Sequence, residues 1–185
     1  MKWMIASDIH GSAYYCRKLI DRFEKENADR LLLLGDLLYH GPRNDLPKEY
    51  APKEVSKMLN GIKNNIFCVR GNCEAEVDQM VLEFPVLADY TIIDFGNFAM
   101  FATHGHIFNE KNLPPIKHGD ILINGHTHIP VCETVDGILH LNPGSVSIPK
   151  DNSCNSYMTF VENVFLWHNI DGEVYNKYSM NNFRE

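Results

Sequence analysis

Lys2-Trp3-Met4-Ile5-Ala6-Ser7-Asp8-Ile9-His10 is the stretch from which the fold can be read. Residues 2–7 form a short apolar run that meets Asp8 and His10 at once. That suits a buried strand ending in a functional loop. Cys16, Leu19, Ile20 and Phe23 follow at i, i+3, i+4, i+7, which predicts an amphipathic helix over residues 13–27. The unit then recurs. Apolar residues 30–34 end at Gly35-Asp36, and Val55, Met58, Leu59 and Ile62 restore the helical spacing. Between them, residues 37–49 carry Gly41-Pro42 and Pro47 and read as a long loop. Residues 66–69 form a third apolar run into Arg70-Gly71-Asn72. Three strand–loop–helix units with right-handed crossovers imply a largely parallel sheet.

Beyond residue 80 helical spacing is scarce. Short strands are predicted at 90–95, 98–103, 121–124, 131–135, 138–141, 157–161 and 164–167. Gly96-Asn97 and Asp136-Gly137 separate neighbouring strands, the second being a strong hairpin signal. The fold class is therefore α/β, parallel first and antiparallel later, with two sheets face to face and helices outside. The chain has 185 residues, 44% hydrophobic and 22% charged, enough for one substantial core and short for two domains. A single domain over 1–185 is expected.

Seventeen Lys+Arg against 24 Asp+Glu leave a net charge of -7. That speaks against broad binding of polymeric nucleic acid. It is compatible with a small phosphorylated substrate, because a bound metal reverses the local potential. No apolar run approaches the ~20 residues of a membrane span or the ~7–15 of a secretory h-region. The five cysteines, at 16, 68, 73, 132 and 154, form no C-x-x-C pair, as in a reduced, cytoplasmic protein.

Five polar clusters sit at or just past predicted strand ends: Asp8-x-His10, Gly35-Asp36, Gly71-Asn72-Cys73-Glu74, His104-Gly105-His106 and Gly125-His126-Thr127-His128. In open α/β sheets ligands bind at the carboxyl ends of strands. Asp and Asn oxygens with neutral imidazoles suit Mn²⁺, Fe or Zn²⁺. Two such ions about 3.5–4 Å apart can clamp a phosphoryl group and acidify water. Taken alone, Asp8 or Asp36 is most simply a cap or turn residue; the joint occurrence of the whole set argues for a metal site.

The ordered set D-x-H, G-D, G-N-x-[DE], H-G-H and G-H-T-H resembles the calcineurin-like metallophosphoesterase superfamily, over residues 4–148. Residues 39–47, 71–78 and 142–149 are similar to the bacterial YfcE-type phosphodiesterase branch. The resemblance implies a four-layer α/β/β/α sandwich, two mixed sheets flanked by helices, and a phosphoric diester hydrolase acting on a small-molecule phosphodiester. It implies two divalent ions, Mn²⁺ first, with Fe, Zn, Co or Ni as alternatives. Asp8, His10 and His128 would hold the first ion, Asn72, His104 and His126 the second, and Asp36 would bridge them. A hydroxide between the ions would attack phosphorus in line. His106, expected beside the first ion's ligands, has no ligand role in the pattern and is assigned to orienting a ligand or contacting phosphate.

Many members read G-N-H-[DE], where the His is taken as the acid for the leaving oxygen. Here that position is Cys73, a weak hydrogen-bond donor. The departure implies a preference for activated, aryl-like diesters over phosphomonoesters. A small thiol with no catalytic duty is the plainer reading. Asp36, Asn72, Cys73 and His106 are thus the candidate catalytic residues. Arg43, a bidentate phosphate partner by type, and His40 are candidate substrate contacts from a 37–49 lid; solvated surface side chains are the plain alternative. His118, His140 and His168 are read as structural or surface residues. A binding module on the same fold, as in a eukaryotic retromer subunit that resembles the family, is the rival reading. The complete ligand set argues against it. The exposed loop and late strands offer a surface for a homo-oligomer.

Overall fold

The computed structural model describes residues 1–183; residues 184 and 185 of the expected domain lie outside the described residues. The first half runs β1 (Trp3–Ala6), α1 (Ala13–Lys25), β2 (Arg30–Leu33), α2 (Pro52–Gly61), β3 (Ile66–Cys68) and α3 (Glu76–Val81). The second half is β4 (Tyr90–Asp94), β5 (Ala99–Thr103), β6 (Ile121–Ile123), β7 (Pro130–Val135), β8 (Ile138–Pro143), β9 (Ser156–Val161), β10 (Val164–Asn169) and β11 (Val174–Ser179). They form two sheets, ordered β11-β10-β9-β1-β2-β3 and β4-β5-β6-β8-β7.

Both sheets are mixed. β1, β2 and β3 are parallel, and β9 returns antiparallel beside β1, pairing Trp3 with Phe160. The second sheet is mixed, as the resemblance implies, although strand spacing alone reads as antiparallel: β5, β6 and β8 are parallel, with β4 and β7 antiparallel at its edges. The burial pattern supplies the reason. β6 and β8 are buried at every position, and strands covered on both faces are continuous apolar runs of the parallel type.

Side-chain alternation along β1 separates two cores. Met4 and Ala6 face outward with Leu31 and Leu33, against Cys16, Leu19 and Phe23 of α1 and Val55 and Leu59 of α2. Trp3, Ile5 and Leu32 face inward and meet Met100, Ala102, Ile121, Ile123 and Leu141 across the sheets. Trp167, fully buried, donates from Nε1 to the Asn142 carbonyl at 2.8 Å and links the two sheets. The two-sheet α/β architecture is the one expected. Outside the second sheet, however, the covering layer over Phe101 and Leu122 is the irregular segment carrying Phe108, Leu113 and Ile116.

The sequence reading omits two elements, α3 and β11. α3 buries no side chain, and β11 is an edge strand largely open to water. Neither needs the apolar periodicity by which elements are recognised. Of the two alternatives read for them, His140 and His168 take the structural one and are buried. His140 Nε2 lies 2.6 Å from Asn124 Oδ1, and His168 stacks on Tyr157 with ring centroids 4.8 Å apart.

Ser12 caps α1, its Oγ accepting from the Tyr15 amide at 3.3 Å, and Glu26 closes the other end. Glu26 lies 2.6 Å from Lys2 Nζ and accepts from the Tyr157 hydroxyl at 3.1 Å, tying α1 to β1 and β9. Burial works against the Glu26 charge, but Lys2 and Tyr157 outweigh it and hold the carboxyl below its ordinary value. A lowered carboxyl stabilises the fold above its unfolded-state pKa and loses that contribution as pH falls through the folded one. Glu26→Gln is expected to cost about 1 kcal/mol at pH 7. The deficit should shrink as pH falls below about 4, from the ordinary carboxylate range down through the lowered Glu26 value. Urea titrations of both proteins at pH 7 and pH 3.5 measure it; an equal deficit at both pH values would refute the assignment.

Candidate metal centre

Five parallel strands deliver the polar clusters to one edge. Asp8 and His10 follow β1, Asp36 follows β2 and Asn72 follows β3. From the second sheet, His104 follows β5, and His126 and His128 follow β6. Five of these seven residues have left-handed backbone: Asp8 (φ 60°), His10 (49°), Asp36 (56°), His126 (68°) and His128 (64°). For non-glycine residues that conformation costs on the order of 1–2 kcal/mol each. The glycines provide room instead. A Cβ on Gly71 would stand 2.5 Å from the Asp36 backbone nitrogen, and one on Gly125 would stand 2.7 Å from Asp8 Oδ2.

Hydrogen bonds from outside the set hold this backbone. The Glu74 carboxylate accepts from the amides of Asp36 (2.8 Å), Leu37 (2.7 Å) and Gly71 (2.5 Å). Ser145 and Ser147 both donate from Oγ to the Asp8 carbonyl, at 2.9 and 3.0 Å. Asn142 Nδ2 donates to the Gly125 carbonyl at 2.8 Å. The sequence reading assigns no role to Glu74. The signal was in the strings G-N-C-E and N-P-G-S-V-S, where side chains able to pair with backbone stand beside the ligand loops.

Three imidazoles are oriented in the same way. Nδ1 of His10 donates to the Tyr39 carbonyl (2.7 Å), that of His104 to Leu34 (2.6 Å) and that of His128 to Ile148 (2.7 Å). A carbonyl only accepts, so the Nδ1 proton is fixed there and each ring turns Nε2 inward, bare whenever the ring is neutral. The Nε2 atoms of His10 and His128 lie 3.2 Å apart. Asp8 Oδ1 sits 3.1 Å from His128 Nε2 and 3.5 Å from His10 Nε2, buried, with no hydrogen bond to either. Around His104, Nε2 lies 3.1 Å from Asn72 Oδ1, 3.2 Å from His126 Nδ1 and 3.4 Å from Asp36 Oδ2. Asp36 Oδ2 is also 3.6 Å from His10 Nε2, between the two groups. Lone pairs facing one another, one of them an orphaned carboxylate oxygen, fit a bound cation.

Charge follows geometry. Burial opposes the ionisation of Asp8 and Asp36, but the surrounding histidines outweigh it, so both carboxyls lie below their ordinary value, Asp8 well below. Burial likewise opposes charge on His104, yet Asp36 and Asp8 raise it to about 9. Burial and the neighbouring His104 push His126 down to about 4, so it stays neutral. Burial first, then the Asp36 and Glu74 carboxylates, drive the Cys73 thiol far up.

A cleft of about 380 Å³ opens over these atoms. His10, Asp36, Asn72, Cys73, His126 and His128 line it, with Arg43 and Lys150 as its cations. Lys150 was not singled out from sequence. Gly41, Pro42 and Asn44 of the 37–49 loop join the wall. His40 is not part of the cleft lining: its ring packs edge-on against Tyr39 and Tyr50, with centroids 4.8 and 5.2 Å away. His106 lies elsewhere than expected. It packs beside His104 and His126, at ring distances of 5.4 and 6.3 Å, next to the ligands assigned to the second ion. The reason is the β5 exit, which carries His104 and His106 together.

Residues 1–163 match the calcineurin-like phosphoesterase superfamily domain. The chain belongs to this family. It is 48% identical over 157 residues to phosphodiesterase YfcE of Escherichia coli (strain K12), covering 85% of each chain. The solved structure of the YfcE phosphoesterase from E. coli superimposes with a TM-score of 0.95 at 43% identity, over 98% of this chain and 100% of that one. Vps29 of Entamoeba histolytica complexed with zinc shares the fold, at a TM-score of 0.63 and 23% identity, over 98% of this chain and 100% of that one. Family membership implies divalent ions, and the described residues offer acid–imidazole groups such as Asp8, His10 and His128 whose ligand atoms lie within 4.8 Å of one another. Among the described residues no helix is long and apolar enough to cross a membrane.

Proton release follows from the raised His104. At pH 7 the metal-free ring holds a proton that a cation must displace. Loading with Mn²⁺ is expected to release about one proton at pH 7 and less as pH rises past about 9, with affinity increasing over the same span. Calorimetry in buffers of different ionisation enthalpy measures the release; buffer-independent heats at pH 7 would contradict it.

Proposed function

We propose that this chain, acting as one domain, hydrolyses small phosphodiesters with two divalent ions. The observation that carries the proposal is the convergence of imidazole nitrogens on the orphaned Asp8 Oδ1 and on Asp36 Oδ2. Asp8, His10 and His128 would hold one ion, Asn72, His104 and His126 the other, and Asp36 would serve both. When bound, the ion pair supplies an activated hydroxide and positive charge for the phosphoryl oxygens. Mn²⁺ is our first choice, with Fe, Zn, Co or Ni as alternatives.

The chain's own residues supply the rest. Arg43 and Lys150 face the cleft and pair with the substrate's negative charge. His106, its Nδ1 buried without a partner, is positioned to orient the phosphoryl group beside His104 and His126. Carbonyl bonds at Nδ1 hold the His10, His104 and His128 rings in their ligating orientation. Cys73 stands where a strong acid would aid departure, but its thiol is held far above the ordinary range. An oxygen that departs as a stable anion needs no such acid, so aryl diesters are favoured over phosphomonoesters. A cleft of about 380 Å³ and a net charge of -7 favour a small substrate over a nucleic-acid polymer. Five free cysteines support a reducing, cytoplasmic setting.

The test is chelator-stripped protein assayed with bis-p-nitrophenyl phosphate and p-nitrophenyl phosphate, with and without Mn²⁺. Manganese-dependent cleavage, faster for the diester, is expected. Asp36→Asn and His126→Ala should each lose at least about 100-fold, since even outer-shell changes at metal sites cost about 10–100-fold. Stoichiometric metal binding with no cleavage by any divalent ion would favour a scaffold role instead.

A further inference from the structure

Among the helices, α3 stands apart. It buries no side chain, while Val77 (61% exposed), Met80 (83%) and Val81 (48%) face water. Val77 and Val81, four residues apart on one helix face, line a groove of about 430 Å³ together with Leu38, Tyr39, Tyr50 and Pro52. That volume lies within the roughly 300–1,000 Å³ of small-molecule sites, whose walls are mostly apolar. Its charged lining residues are Lys53 and Asp78, of opposite sign, so the groove offers no net charge to hold an ionic group.

The groove is continuous with the metal cleft. Cys73 lines both, and its Sγ lies within 4.8 Å of the candidate ligand atoms of His10 and Asp36. Tyr39 lines the groove, and its carbonyl accepts from His10 Nδ1 at 2.7 Å. A phosphoryl group held over Asp36 is therefore one side chain away from an apolar, tyrosine-walled space.

We infer that this groove is the subsite for one ester substituent of the substrate, and that this substituent is an uncharged aromatic group. The inference rests on the diesterase reading and adds what the diester carries. Burying such an arm rather than a methyl group removes apolar surface from water and gives selectivity without a charged contact.

The experiment compares methylphosphonate with 2-naphthylphosphonate by calorimetry on Mn²⁺-loaded protein. Their head groups match, and neither P–C bond is hydrolysed. The naphthyl compound is expected to bind about 10–100-fold more tightly. In Val77→Asp and Val81→Asp, exposed positions on a helix without core contacts, that ratio should fall to within about threefold. Equal affinities in the wild type, or an unchanged ratio in both variants, would overturn the inference. Cleavage of bis-p-nitrophenyl phosphate by the same samples separates the two readings. Hydrolysis without naphthyl preference removes the aromatic subsite and leaves the hydrolase. Naphthyl preference without hydrolysis of any diester upholds the aromatic site and removes the hydrolase. Sedimentation covers the other occupant: wild-type self-association lost in both variants, with no naphthyl preference, makes the groove an interface between copies and overturns the inference.

Discussion

Left-handed backbone at five of the seven convergent side chains is the constraint on which the rest of the site depends. Asp8, His10, Asp36, His126 and His128 can aim at common points because the chain reverses sharply just past each strand. Such backbone persists only where the surroundings over-determine it. Here the Glu74 carboxylate gathers three amides from two loops, and Ser145 and Ser147 converge on the Asp8 carbonyl. Side chains that touch no substrate thus set the geometry of those that would. Gly71 and Gly125 contribute by leaving space, since the Asp36 and Asp8 groups occupy the volume a Cβ would need.

The electrostatics follow from the same convergence. Two carboxylates buried side by side repel each other and lose hydration, which by itself favours protonation. Asp8 and Asp36 nevertheless stay ionised, because histidine rings stand against one oxygen of each. The result is a compact store of negative charge that holds either protons on His104 or a cation. His126 stays neutral because burial, and then the positive charge on His104, disfavour a second proton there. The two rings, 5.0 Å apart by centroid, have opposite titration behaviour from one shared neighbourhood.

The fold makes this economical. Parallel strands in both sheets end on one edge, so five loops meet without long insertions. On the same edge the metal-site cleft adjoins the apolar groove beside α3, with Cys73 as the shared wall. A charged cleft and an apolar groove then stand side by side, both drawing on the 37–50 loop and the segment after β3.

The sequence by itself determined the elements with strong periodicity and the identity of the clusters. Residues 2–7 and 13–27 announce β1 and α1 because burial of one face demands a regular apolar repeat. D-x-H, G-D, G-N, H-G-H and G-H-T-H were legible because few other chemistries need those residue types at successive strand ends. Only the tertiary structure decided the rest. The parallel core of β5, β6 and β8 depends on strand neighbours that no local pattern encodes. α3 and β11 escaped because exposed elements need no apolar repeat. Glu74 gained its role from amides of Asp36 and Leu37, nearly forty residues away, and His106 its place from the exit of β5. Distances between residues far apart in the chain are set by packing, and chemistry at a site is a matter of those distances.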